Sequence, residues 1–205
     1  MIVHGFVQAG GGSTRFGTDK ALVRLAGKTM LQRTGELLAS VCHDVTIVAP
    51  AAKYADAPWP VLTDCWPGEG PLGGILTALL HLRNAASSGA SRCLILSCDM
   101  PFLTKEFLVE LRERASRSRA QVLVPESSSG LEPLCGCWRA DAVDSVQAAF
   151  DAGIRKVTEA MKRLRMEVLD EWSWKRFDTK DRLFWNMNTP ADFEEARRIL
   201  EAPDG

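Results

Sequence analysis

Three successive glycines, Gly10, Gly11 and Gly12, follow an apolar run and open the segment AGGGSTRFGTDK from Ala9 to Lys20. Without Cβ atoms in the way, backbone N–H groups can approach a bound anion closely, an arrangement that favours phosphate. Arg15 and Lys20 add candidate cationic contacts to the same segment. The spacing is not that of a Walker A loop, because Gly17 is followed by Thr18, Asp19 and Lys20 rather than by Lys and then Ser or Thr. It also fails GxGxxG, since the third glycine position counted from Gly10 holds Arg15.

Asp64 and Asp99 each follow an apolar, strand-like run. In an open α/β sheet ligands gather at the carboxyl ends of strands, so parallel neighbours would bring both carboxylates to the edge that holds the glycine loop. Desolvating two ionised carboxylates is costly, and a divalent cation would neutralise them. Mg²⁺ fits because it binds through one or two carboxylates plus substrate phosphates. A phosphate loop, a lysine and such a carboxylate suffice for phosphoryl or nucleotidyl transfer, which depends on positioning and charge neutralisation. A phosphate nucleophile is already mostly ionised at pH 7 and needs no general base. The scatter of His4, His43 and His81 agrees with that.

These groups need strands and helices to hold them. Ile2 to Gln8 reads as a buried strand, Thr29 to Val41 as a helix and Val45 to Ala49 as a second strand. Val61-Leu62-Thr63 leads to Asp64 and a turn, and Pro71 stands where a helix begins, followed by Leu72, Ile75, Leu76, Leu79 and Leu82 on a broad apolar face. Cys93 to Leu96 is apolar on consecutive positions, which suits a parallel strand covered on both faces and ending at Asp99. Thr104 should cap a helix that carries Phe107, Leu108, Leu111 and Ala115. Val122 to Val124 and Met166 to Leu169 read as strands, Leu131 to Trp138 as extended, Ala140 to Ala152 as helical, and Arg112 to Arg119 as a solvated helix end. Thr189-Pro190-Ala191-Asp192 is a helix start with a capping-box acid. Alternating strands and helices predict an open α/β sheet, parallel where its strands are covered on both faces, whose crossovers are right-handed.

The 205 residues suit one domain over 1–205 with a core large enough to need no disulfide or structural metal. The net charge of -1 argues against a nucleic-acid or membrane-surface binder, which needs a surplus of Lys and Arg on one face. No apolar run approaches the ~18 residues of a membrane span. Met1 to Gln8 lacks a basic leader pattern, and the six cysteines form no CxxC pair, so a cytoplasmic chain with reduced thiols is expected.

Four ordered segments, AGGGSTRFGTDKAL from Ala9, DCWPGEGPLGGI from Asp64, SCDMPFL from Ser97 and NMNTPADF from Asn186, resemble the molybdenum cofactor guanylyltransferase family of nucleotidyltransferases. The resemblance implies an α/β domain of the nucleotidyltransferase type, with a Rossmann-like, three-layer, mostly parallel open sheet, that joins the GMP moiety of GTP to molybdopterin or Mo-molybdopterin with Mg²⁺ and releases pyrophosphate. It places Gln8, Ala9, Gly10 and Gly11 at the nucleotide, with Gly12 in the same run, Lys20 on the phosphates and Asp64 at the nucleotide. Asp99 is implied as Mg²⁺ ligand, Arg15 as a phosphate contact, and Gly73 and Gly74 as points of close backbone approach. Asn186 and Asn188 match paired asparagines facing the pterin, and Glu132-Pro133-Leu134 and the basic stretch from Arg155 to Arg165 are candidates for the acceptor pocket. Gln8 departs from the aliphatic residue usual there, and Ala49-Pro50-Ala51 lacks an asparagine often found after the second strand. A CTP-dependent sibling or a sugar-phosphate nucleotidyltransferase would share the loop, lysine and carboxylate. A non-catalytic nucleotide-binding partner of molybdoenzymes is the reading from another class. Transient contact with molybdoenzymes or their chaperones follows from the family reading.

Overall fold

The computed structural model describes residues 2–10, 19–50, 53–85, 91–178 and 180–201. In chain order the elements are β1 (Val3–Gln8), β2 (Arg24–Leu25), β3 (Lys28–Thr29), α1 (Met30–Ala39), β4 (Asp44–Ala49), β5 (Val61–Thr63), α2 (Pro71–Ala85), β6 (Arg92–Ser97) and α3 (Lys105–Arg117). They continue with β7 (Val122–Ser127), β8 (Gly130–Leu131), β9 (Cys135–Arg139), α4 (Val143–Asp151), α5 (Val157–Met161), β10 (Met166–Leu169), α6 (Glu171–Trp174) and α7 (Pro190–Glu201).

The main sheet has the order β10-β7-β9-β6-β1-β4-β5, with β8 paired to β7 off this path. β1 is parallel to β4 and β6, β4 to β5, and β10 to β7. β9 is antiparallel to both of its neighbours, β6 and β7. Helices cover both faces, as a mostly parallel sheet requires. On one face Leu31 and Leu38 of α1, Phe107 and Leu111 of α3 and Ala196 of α7 pack with Val7, Leu94 and Leu96. On the other, Ile75 and Leu79 of α2 and Val146 of α4 pack with Phe6, Ile95 and Trp138. All of β6 is buried, as its unbroken apolar run predicts.

Local chemistry sets the helix starts. Thr29 and Gln32 form a reciprocal capping box at α1, the Thr104 side chain accepts from Phe107 N at α3, and Asp192 and Thr189 cap each other's backbone at α7. Leu131 to Trp138 is not one extended piece: β8 and β9 are separated by a turn that holds Pro133 and Leu134. Arg112 to Arg119 is only partly a solvated end. Arg112 donates to Val41 O at 2.8 Å, and Arg114 pairs at 2.8 Å with Glu110, which Arg176 also bridges. No helix among the described residues is long and apolar enough to cross a membrane.

Candidate active site

The chain runs from β1 through α1 to β4 and β5 on one side, then returns through α2 to β6 on the other side of β1. The strand order therefore reverses between β1 and β6, the position where open α/β sheets leave a crevice. Gln8, the last residue of β1, is in register with Ser97 of β6 and Val48 of β4. A cavity of about 360 Å³ opens above them, lined among others by Gln8, Ala9, Gly10, Asp19, Lys20, Asp64, Pro71, Ser97, Asp99 and Leu134.

On the β4–β5 side the backbone closes in tightly. Ala9 N donates to Val48 O at 2.9 Å. Gly10 has φ +90°, and a Cβ there would sit 2.4 Å from Pro50 Cδ, so the site needs glycine on both counts. Gln8 Nε2 donates to Pro71 O at 3.0 Å, tying β1 to the start of α2. Gly74 leaves room for that amide, since a Cβ would lie 2.3 Å from Gln8 Nε2. Gln8 Oε1 is buried without a partner among the described residues. Gly73 does not line the cavity: its missing Cβ leaves room for Trp66, whose Cβ and carbonyl would lie 3.1 and 3.2 Å away. Its neighbour Gly74 does not line the cavity either, and acts on it only through the Gln8 side chain that it accommodates. Asp64 Oδ1 accepts from Trp66 N at 3.0 Å and lies 3.0 Å from Thr77 Oγ1, so this aspartate both caps its turn and lines the cavity. Thr77 was not singled out in the sequence, because it lies in the middle of an apolar helix.

Lys20 sits in a single turn of 3-10 helix capped by Asp19, whose Oδ1 accepts from Ala21 N at 3.1 Å. Asp19 Oδ2 takes the Tyr54 hydroxyl at 2.7 Å and Lys53 Nζ at 3.1 Å. Burial alone would raise this carboxyl, but the Tyr54, Lys53 and Ala21 donors together hold it below its ordinary value. Lys20 Nζ donates to Asn188 Oδ1 at 3.0 Å, which brings the last motif of the chain to the first. Asn188 N in turn donates to Asp192 Oδ2 at 2.8 Å, so this asparagine is both part of the α7 cap and a partner of Lys20.

Asp99 accepts a short hydrogen bond from the Ser97 hydroxyl, and its own carbonyl takes Met187 N at 2.8 Å. Cys98 beside it lines the cavity as a neutral thiol, because burial pushes its ionisation far up. Asn186 donates to Phe184 O at 3.1 Å and lies against Glu132. Leu134, not Pro133, is the residue of its turn that reaches the cavity. Arg155 does not line the cavity. Its Nε donates to Glu69 Oε2 at 2.6 Å and its guanidinium covers the Phe150 ring at 3.8 Å, beside the turn after β5 and three strands from β6. Gly11, Gly12 and Arg15 lie outside the described residues.

A family model described as the MobA-like NTP transferase domain matches residues 5–166. The chain belongs to that family. The molybdenum cofactor guanylyltransferase of Desulfosudis oleivorans is 31% identical over 202 residues, 98% of this chain and 96% of the relative. The structure of molybdopterin-guanine dinucleotide biosynthesis protein A from Archaeoglobus fulgidus superposes with a TM-score of 0.83 at 26% identity, covering 98% of this chain and all of the other. A 2-C-methyl-D-erythritol 4-phosphate cytidylyltransferase from Thermus thermophilus shares the fold, with a TM-score of 0.68 at 14% identity over 98% of this chain and 100% of that one. As a MobA-like NTP transferase, the chain is a nucleotidyltransferase.

Enzymes of this family typically use a divalent metal. The donor set suits one. Asp64 and Asp99 line the same cavity, and the hydrogen bonds of each fall on Oδ1. Among the described residues no three His, Cys, Asp or Glu side chains form an all-protein cage. Two carboxylates at one cavity are a donor set that a cation completed by substrate phosphates can use.

Proposed function

We propose that this MobA-like transferase joins the GMP moiety of GTP to molybdopterin or its molybdenum-loaded form, with Mg²⁺, as one domain over residues 1–205. The observation that carries this reading is the single cavity at the strand-order reversal, where Gln8, Ala9, Gly10, Lys20, Asp64 and Asp99 meet. The names of the relatives supply the two substrates.

In the reaction the terminal phosphate of molybdopterin attacks the α-phosphate of GTP, and the bond to pyrophosphate breaks. Gln8, Ala9 and Gly10 form the wall against which the nucleoside rests. The Lys20 ammonium faces the triphosphate and, through Asn188, is held where charge builds up as the α-phosphate becomes five-coordinate. Asp99, aided by Asp64, would hold Mg²⁺, which when bound supplies the positive charge that offsets the crowded phosphates. Ser97 fixes the Asp99 carboxylate in place. An already ionised phosphate nucleophile requires no base, and the neutral Cys98 thiol offers none. The six cysteines are free, which suits the cytoplasm where we place the reaction, with delivery by transient contact to molybdoenzymes or their chaperones.

The test is to incubate the protein with molybdopterin, Mg²⁺ and each of GTP, CTP and ATP and to identify the dinucleotide formed. Guanine dinucleotide with pyrophosphate is expected from GTP. Cytosine dinucleotide alone would reassign the base, and nucleotide binding without pyrophosphate release would overturn the catalytic reading.

A further inference from the structure

Glu132 is a half-buried carboxylate that the transfer chemistry above does not use. Its backbone is fixed on both sides, by Glu132 N to Pro125 O and Cys135 N to Glu132 O, each 2.9 Å. The turn it begins is pinned to the cavity rim, because Ser97 N donates to Leu134 O at 3.0 Å and Leu134 lines the cavity. Its side-chain partners are neutral: the Ser127 hydroxyl donates to Oε1 at 2.7 Å, and the Asn186 side chain lies against it. The negative charge of Asp99 acts on it as well, and is repulsive. Burial, the largest influence, pushes this carboxyl up, Ser127 and Asn186 pull it back, and Asp99 adds to the push. A half-buried carboxylate whose partners among the described residues are neutral is an unfavourable arrangement, and such groups concentrate where a ligand completes them.

We propose that Glu132 reads the acceptor's pterin ring, accepting from its N3–H and 2-amino group. Those two parallel N–H donors match two carboxylate oxygens in the same fork geometry that pairs a guanidinium with a carboxylate. The placement also gives the acceptor a direction. Its terminal phosphate is repelled by Glu132 and drawn toward Lys20 and the cation site at Asp99, while the uncharged pyrimidine edge of the pterin is accepted at the other end. Asn186 is then a positioning residue that holds the carboxylate from the side. The inference rests on molybdopterin being the acceptor.

The experiment compares 6-hydroxymethylpterin with 6-hydroxymethyllumazine, which carries a 2-oxo group in place of the amino group, as inhibitors of dinucleotide formation from GTP and molybdopterin. The wild-type protein should favour the pterin by about tenfold or more, the worth of one hydrogen bond lost with its partner left buried. Glu132→Gln presents one acceptor and one donor, which complement the N3–H and 2-oxo edge, so its preference should invert toward the lumazine. The same variant should raise the KM for molybdopterin about tenfold and leave the KM for GTP and the thermal unfolding midpoint near wild type. An unchanged inhibitor ratio in Glu132→Gln, with wild-type protein making guanine dinucleotide, overturns the inference alone. A changed Mg²⁺ requirement with an unchanged ratio also overturns it, by assigning the carboxylate to the cation. Failure of the wild-type protein to make any dinucleotide from molybdopterin overturns the function, and this inference with it.

Discussion

From β1 to β5 the sheet is parallel, and the groups lining the cavity stand at or just after the ends of β1, β4 and β5: Gln8, Ala9 and Gly10, then Pro50, then Asp64. From β6 to β10 the order is broken by the antiparallel β9; Ser97 and Asp99 after β6 and Leu134 in the β8–β9 turn line the cavity, while Ser127 at the end of β7, Glu132 in that same turn, and Asn186 and Asn188 before α7 are polar groups gathered near them from separate places in the chain. The parallel half, which takes the nucleotide in the proposed function, is thus built from short contiguous motifs on a repeating βα scaffold. The other half, the proposed acceptor side, is built by long-range contacts, such as Lys20 to Asn188 across 168 positions. The lesson is that the parallel half presents its groups from local motifs, while the half around β9 gathers its groups by tertiary packing.

The two halves meet at Lys20 and Asp99, and changes there should have the largest effect. Lys20→Ala and Asp99→Asn are each expected to lower kcat on the order of 10²- to 10³-fold, the loss that follows removal of one preorganised charge contact. Pyrophosphate release at saturating Mg²⁺ measures it. Near-wild-type turnover in both variants would mean that the junction is not where the halves cooperate.

Next in size are changes in the nucleotide half alone, which should raise the KM for GTP and leave that for molybdopterin. Gly10→Ala forces a side chain into a left-handed backbone and against Pro50, whose ring cannot swing away, so a loss of about 1–3 kcal/mol of stability is expected. Gly74→Ala meets instead the far end of a flexible Gln8 side chain, which can move by giving up its bond to Pro71 O. It should cost only about 1 kcal/mol in unfolding free energy. The displaced amide should nevertheless narrow the cavity and weaken GTP binding. Adding Gln8→Ala to Gly74→Ala should restore stability. Denaturant unfolding of the single and double variants checks this, and no recovery in the double variant would show that the alanine collides with something other than the amide.

The same division explains what could be read from the amino acids. The glycine run, the two aspartates and the Pro71 helix start are legible because each depends on residue types within a few positions of one another. β9 is not, because the alternation of Leu131 to Trp138 is the same for either strand direction, and its insertion between β6 and β7 depends on packing Trp138 on one face and Cys135 and Cys137 on the other. Gly73 and Arg155, which the resemblance places at the site, do not line the cavity. Trp66 in one case, and Glu69 with Phe150 in the other, engage them elsewhere. The tie between Asp19 and Tyr54 spans 35 positions and leaves no mark on either local pattern.

That tie yields the smallest expected effect and the finest test of the nucleotide half. Tyr54 holds a left-handed φ of 60°, a strained backbone for a residue with a bulky side chain, and its hydroxyl donates to Asp19, which caps the turn carrying Lys20. Tyr54→Phe keeps the ring and removes the donor, and should lower stability by about 0.5–1 kcal/mol at pH 7, since the partly exposed carboxylate keeps Lys53 and Ala21 N. Because the folded-state pKa of Asp19 lies below its ordinary value of 3.8, its contribution is present above the unfolded pKa and is lost as pH falls through the folded one. The gap between Tyr54→Phe and wild type should therefore be full at neutral pH and shrink below about pH 4, as Asp19 protonates in both proteins. Turnover should fall by only a few fold, through a looser Lys20, with the KM for molybdopterin unchanged. A stability gap of equal size at pH 7 and pH 3 would trace the loss to packing around the ring instead, and would detach Tyr54 from the carboxylate that steadies the phosphate lysine.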